Sequence, residues 1–103
     1  MDIADQLEEL GFTVIEAANA TEAVSMLANR VDIQVMFTDV DMPGDMDGLM
    51  LAAAVRDRWP PIKIIVTSGH RNISLDDLPS NSLFFEKPYS GKAVASAMRE
   101  MLA

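Results

Sequence analysis

Three apolar runs, each stopping abruptly at a polar group, constrain this chain more than any other feature. Ile33-Gln34-Val35-Met36-Phe37-Thr38 stops at Asp39-Val40-Asp41, Ile62-Lys63-Ile64-Ile65-Val66 at Thr67-Ser68, and Ser82-Leu83-Phe84-Phe85-Glu86 at Lys87-Pro88. Short runs rich in β-branched and aromatic residues read as strands, and near-continuous apolarity marks a strand covered on both faces. The stretches between them have helical period. Residues 2–10 place Ile3, Ala4, Leu7 and Leu10 on one face and stop at Gly11. Asn19, with Glu22 three residues later, opens a helix striped by Ala23, Val24, Leu27 and Ala28. Asp47-Gly48 leads into a helix that Pro60-Pro61 ends near Trp59, and residues 90–102 form the last one. Phe12-Thr13-Val14-Ile15-Glu16 reads as a further short strand. Residues 71–81 are polar and carry Pro79, so any helix there is short.

Alternating strands and helices of these lengths imply βα units on a parallel sheet. In such sheets polar chemistry gathers beyond the carboxyl ends of the strands. That rule brings an acid pair, a hydroxyl and a lysine to one edge. The chain has 103 residues, half of them hydrophobic, which is enough for one domain with a packed core. Its net charge of −8 argues against direct nucleic-acid binding and against an anionic membrane surface, because both need a basic face. No apolar run is long enough to span a bilayer, and the acidic N-terminus is not a secretory signal. With no cysteine, disulfide scaffolds and thiolate metal sites are excluded, and a cytoplasmic location fits.

The three groups suit phosphoryl chemistry. A carboxylate can attack an activated phosphoryl group and become an acyl phosphate. The transferring group spreads negative charge over its oxygens and needs cationic and hydrogen-bonding partners. Lys87 and the Thr67 hydroxyl could each take one oxygen. Mg²⁺ could take a third, held by Asp39 and the backbone carbonyl of Asp41. Taken singly, Asp39 would be an ordinary turn residue, Thr67 a turn cap replaceable by Ser68, and Lys87 a solvated side chain. Asp45 and Asp47 read as turn and N-cap residues, and His70 as incidental. Trp59 reads as packing at a helix end, while Leu49 and Met50 are expected beneath the sheet.

At these residues the sequence resembles the receiver domain of two-component response regulators. The resemblance rests on Met36-Phe37-Thr38-Asp39-Val40-Asp41-Met42-Pro43, Asp47-Gly48, Ile65-Val66-Thr67-Ser68-Gly69 and Phe84-Phe85-Glu86-Lys87-Pro88, and it covers essentially the whole chain. It implies a doubly wound, flavodoxin-like α/β fold. Further implications are a phosphoacceptor at Asp39, a switch hydroxyl at Thr67, a phosphate-binding lysine at Lys87, a switch aromatic at Phe84 and a cis Lys87-Pro88 bond. The implied partner is a histidine kinase or phosphotransfer protein, and the implied role is a phosphorelay signalling module rather than an enzyme. The turn from Pro43 to Gly48 is one residue longer than the commonest form of the family.

The start departs from that pattern. The family opens with a buried strand ending in paired acids that hold Mg²⁺, whereas this chain begins inside the following helix. Asp2 and Asp5 lie on the helix and do not stand for that pair. Residues 1–103 are therefore expected to be a receiver domain lacking its first strand, with weakened Mg²⁺ affinity. Three arrangements answer the gap: a true start upstream, a rearranged fold, or a second chain filling it as a homodimer or strand-swapped oligomer. Two other functions stay in view. One is a phosphorylation-independent interaction module. The other is a haloacid-dehalogenase-like phosphatase, whose Asp-x-Asp, hydroxyl and lysine motifs are superficially met but whose late acidic pair is absent here.

Overall fold

A computed structural model of the chain describes residues 2–41, 44, 46–69, 76, 78–79 and 82–103. In chain order the elements are α1 (Ile3–Glu9), α2 (Ala20–Asn29), β1 (Val35–Asp39), α3 (Gly48–Arg58), β2 (Lys63–Ser68), β3 (Ser82–Glu86) and α4 (Gly91–Leu102). The strands form one parallel sheet in the order β1-β2-β3. The readings at His70 and Asp45, on the turn residues Met42 and Pro43, and on most of 71–81 lie outside the described residues.

Local chemistry sets the helix starts. Asp2 accepts from the Asp5 N–H at 2.9 Å and caps α1, so both belong to the helix start as expected. Asn19 accepts from the Glu22 N–H at 2.8 Å, while the Glu22 carboxylate reaches back to the Ala18 N–H at 3.4 Å. Asp47 caps α3 through the Met50 N–H at 2.9 Å, and Ser90 caps α4 through the Ala93 N–H at 3.3 Å. Each cap satisfies a donor that the first helical turn would otherwise leave free.

The sheet is covered on both faces. Alternate strand residues face opposite sides. Met36, Ile64 and Val66 pack against Leu27 of α2 and Leu51, Ala52 and Val55 of α3. Ile65, with Val35 and Phe37, packs against Leu7 of α1 and Val94, Ala95 and Met98 of α4. This is the doubly wound arrangement expected for the chain. β2 is central, and its last five residues are all buried. Arg99 of α4 ties down the end of α1, donating to the Leu10 carbonyl at 2.8 Å and lying 5.4 Å from the Phe12 ring centroid.

Two expectations are corrected. Residues 12–16 were expected to form a strand, but they run beside the sheet without joining it. Pairing defines a strand, and between this segment and β1 lies a groove of about 700 Å³ where a partner strand would have to run. The doubly wound arrangement expected for the fold is kept, with residues 12–16 unpaired. Met50 was expected beneath the sheet but is 54% exposed. The Asp47 cap fixes the phase of α3 so that Gly48, Leu51, Ala52 and Val55 face inward and position 50 faces out. Leu49 does pack against the core, and so does Trp59 at the helix end.

Candidate phosphoacceptor site

The parallel register aligns the polar strand ends. Asp39 lies opposite Thr67, and Thr67 lies opposite Phe85. One residue past β3, the Lys87 N–H donates to the Ser68 carbonyl at 3.1 Å, which holds the lysine at the same edge. The Lys87-Pro88 peptide bond is cis, as the resemblance implied. Gly69 gives the lysine room, since a Cβ there would sit 3.2 Å from the lysine's own Cβ and Cδ.

Lys87 Nζ pairs with Asp39 Oδ2, joining two residues 48 positions apart. The other carboxylate oxygen, Oδ1, accepts from the Asp41 N–H at 2.9 Å. This turn holds the Asp39 carboxylate at the strand end. The hydrogen bond to Asp39 raises the Lys87 pKa above its ordinary 10.5, against the opposing effect of desolvation, and the charge of Asp41 adds a smaller push upward. A raised lysine pKa stabilises the fold fully below 10.5, and that contribution is lost as pH rises through the folded value. The lysine side chain is 37% exposed, so solvent screens the pair and keeps its contribution small. Thermal melts should therefore show a shallow alkaline loss of stability that is absent in Lys87→Met. An unchanged alkaline slope in that variant would contradict the pairing.

Thr67 is 1% exposed, and its Oγ1 donates to the Phe85 carbonyl at 2.6 Å. Its hydroxyl therefore faces β3, and engaging a group bound to Asp39 requires rotation about χ1. Phe84, on the same strand as that carbonyl, is half-buried and packs against the α2–α3 core. α3 starts directly over Asp39. The Gly48 N–H donates to the Val40 carbonyl at 3.0 Å, and a Cβ at Gly48 would run into the Asp39 and Val40 backbone.

Sequence reasoning missed Tyr89. Its ring meets Phe37 edge-on at 5.5 Å, and burial raises the pKa of its hydroxyl despite the opposing charge of Lys87. The available signal was an aromatic two residues after the strand-end lysine. Ser68 Oγ was weighed only as a substitute for Thr67. It is buried, and among the described residues it has no hydrogen-bond partner.

The donor set fits Mg²⁺ poorly. Both Asp39 oxygens are engaged, and the described residues contain no group of three acidic or histidine side chains that could hold a metal. Mg²⁺ demands near-octahedral oxygen coordination. The described residues do not offer a ready site for it.

The comparisons with known proteins decide the family. A family model described as the response regulator receiver domain matches residues 1–77. The chain belongs to that family. The Brucella abortus protein named sensor kinase CckA is 39% identical over 102 residues, covering 93% of this chain and 10% of that protein. The B. abortus response regulator receiver protein CpdR is 27% identical over 99 residues, covering 93% of this chain and 81% of its own length. A solved response regulator receiver protein from Sinorhizobium medicae superposes with a TM-score of 0.87 at 25% identity. That superposition covers 97% of this chain and 82% of the solved one. The chain spans about a tenth of CckA and 15% of the NtrX-like regulator it matches. Receiver domains are signalling modules of two-component systems, and this receiver has the family's parallel sheet with helices on both faces. No described helix is long and apolar enough to cross a membrane.

Proposed function

We propose that Asp39 is the phosphoacceptor of this receiver, taking a phosphoryl group from a phosphohistidine on a histidine kinase or phosphotransfer protein. One observation carries the reading: the Asp39 carboxylate stands at the sheet edge, paired with Lys87 and in register with Thr67. In the transfer an Asp39 oxygen attacks phosphorus and forms the new P–O bond. The P–N bond breaks, and its electron pair leaves with the imidazole nitrogen of the donor. Lys87 exchanges its carboxylate partner for a phosphoryl oxygen and neutralises the charge that the group brings. Thr67 exchanges the Phe85 carbonyl for another phosphoryl oxygen. Losing that bond frees the β3 end beside Phe84 and biases the domain toward a second state that partners read. We assign the domain to the cytoplasm, where such donors act, without direct contact to nucleic acid or membrane. Asp39 and Asp41 are the residues that Mg²⁺ would use, with weak affinity.

The test is labelling of the purified chain by acetyl phosphate, read by intact mass. One added phosphoryl group released by hydroxylamine, as an acyl phosphate is, supports the reading. A hydroxylamine-stable label would overturn it. No label at all would favour a phosphorylation-independent interaction module, the second reading, which the prior engagement of both Asp39 oxygens supports. Turnover of a phosphomonoester would instead restore the phosphatase reading. Thr67→Val should slow labelling less than loss of the Asp39 carboxylate does, because the hydroxyl donates to the Phe85 carbonyl before transfer and is not the attacking group. It should abolish the phosphorylation-dependent change in tyrosine and tryptophan fluorescence. A full change in that variant would remove Thr67 from the switch.

A further inference from the structure

We propose that Arg56 and Ser82 form a binding site for a small planar monoanion with two adjacent oxygens, the chemistry shared by acetate, formate and bicarbonate. Arg56 Nη1 donates to the Pro60 carbonyl at 2.6 Å. Its other two nitrogens, Nε and Nη2, are shielded from solvent and have no hydrogen-bond partner among the described residues. Ser82 Oγ is likewise shielded and unpartnered.

Topology brings these groups to one place. α3 runs back antiparallel to the strands, and the Ile62 N–H donates to the Trp59 carbonyl, so the helix ends level with the strand starts. Ser82 lies opposite Ile64, which packs with Leu51, Ala52 and Val55 of α3. Residues in register share a face of the sheet, so Ser82 is on the α3 side. Arg56 sits about a quarter-turn round α3 from that inward stripe. In a right-handed β1-α3-β2 crossover this flank faces β3. The site is thus at the opposite rim of the sheet from Asp39 and Lys87, and the inference does not depend on phosphoryl transfer.

The chemistry of the donors selects the ligand. Nε and Nη2 make the side-on fork of a guanidinium, whose parallel N–H bonds match the two oxygens of a carboxylate. The chain shows the filled form elsewhere: Arg30 Nε donates to Asp32 Oδ1 at 3.0 Å, and Nη2 to Oδ2 at 2.9 Å. Asp57 cannot do this for Arg56, because it is exposed and adjacent helical positions do not face each other. A guanidinium stays charged, and shielded N–H groups without a partner are costly. Water would satisfy the donors but leave the charge, whereas a planar monoanion answers both and accepts from Ser82 as well. Chloride cannot span the fork, and a phosphate dianion brings more oxygens than these donors satisfy.

The test is thermal unfolding of the 103-residue chain at constant ionic strength, with acetate, formate or bicarbonate replacing chloride in separate arms. The Nε–H resonance of Arg56 is followed by NMR in the same titrations. At about ten times its dissociation constant, a bound anion raises Tm by roughly 6–11 °C and moves that resonance downfield. Comparing the three arms shows which source binds tightest. Ser82→Ala should weaken binding by roughly tenfold, and Arg56→Gln should abolish the response. If Arg56→Gln does not fold, Ser82→Ala and the parent resonance decide. The absence of a saturable rise in all three arms would overturn the proposal. So would an equal rise in phosphate, a rise that leaves the Arg56 resonance unmoved, or a full response in Arg56→Gln.

Discussion

Asp39→Asn leaves the chain folded and reduces its labelling by acetyl phosphate by at least roughly 10³-fold, because an amide oxygen lacks the charge of the attacking carboxylate. The substitution nearly conserves shape. The Asn carbonyl can still accept from the Asp41 N–H, which Asp39 now holds at 2.9 Å. What is lost is the charge facing Lys87. The two side chains are 29% and 37% exposed, so removing the pair costs on the order of 1 kcal/mol or less. Labelling and stability therefore separate: circular dichroism and Tm should stay close to those of the parent while the label disappears. Persistent hydroxylamine-sensitive labelling in the variant would move the acceptor elsewhere. The exposed carboxylate of Asp41 would be the first residue to replace in that event.

Gly48→Ala is expected to lower both stability and labelling, and the sign is the informative part. In an ordinary helix, alanine is favoured over glycine by up to about 1 kcal/mol. Here the added Cβ would meet the Asp39 and Val40 backbone, which is not a flexible side chain that can swing aside. The start of α3 must shift, at a cost of roughly 1–3 kcal/mol, and Tm should fall by about 4–8 °C per kcal/mol in a domain of this size. That shift also moves the strand end carrying the carboxylate, so labelling slows although no site side chain has changed. An unchanged or raised Tm would show that the close approach of α3 to β1 relaxes at no cost. The Gly48 N–H bond to the Val40 carbonyl would then not be what seats the helix.

The fold was largely legible because its signals are local. Continuous apolar runs of five or six residues require burial on both faces, and Asp2, Asn19, Asp47 and Ser90 satisfy the first turns of their own helices. The edge carrying Asp39, Thr67 and Lys87 could be read because a parallel sheet puts all its strand ends on one side, whatever the intervening loops. Met50 was misplaced because the stripe of α3 is weak: alanines 52 to 54 fit any face, and only the Asp47 cap decides the phase. Residues 12–16 carry a sound strand pattern, yet a pattern describes side chains and not partners.

By itself, then, the sequence determined the helix caps, the doubly wound class and every element type except that of residues 12–16. Each of these follows from the period and chemistry of neighbouring residues. Only the tertiary structure decided the contacts between residues far apart along the chain. It turned the Thr67 hydroxyl toward the Phe85 carbonyl, engaged both Asp39 oxygens, and left residues 12–16 outside the sheet. The physical reason is the same in each case. A hydrogen bond or ion pair across the sheet depends on which strand lies alongside, and no local pattern in residues 12–16 or 35–39 records whether a neighbour is present.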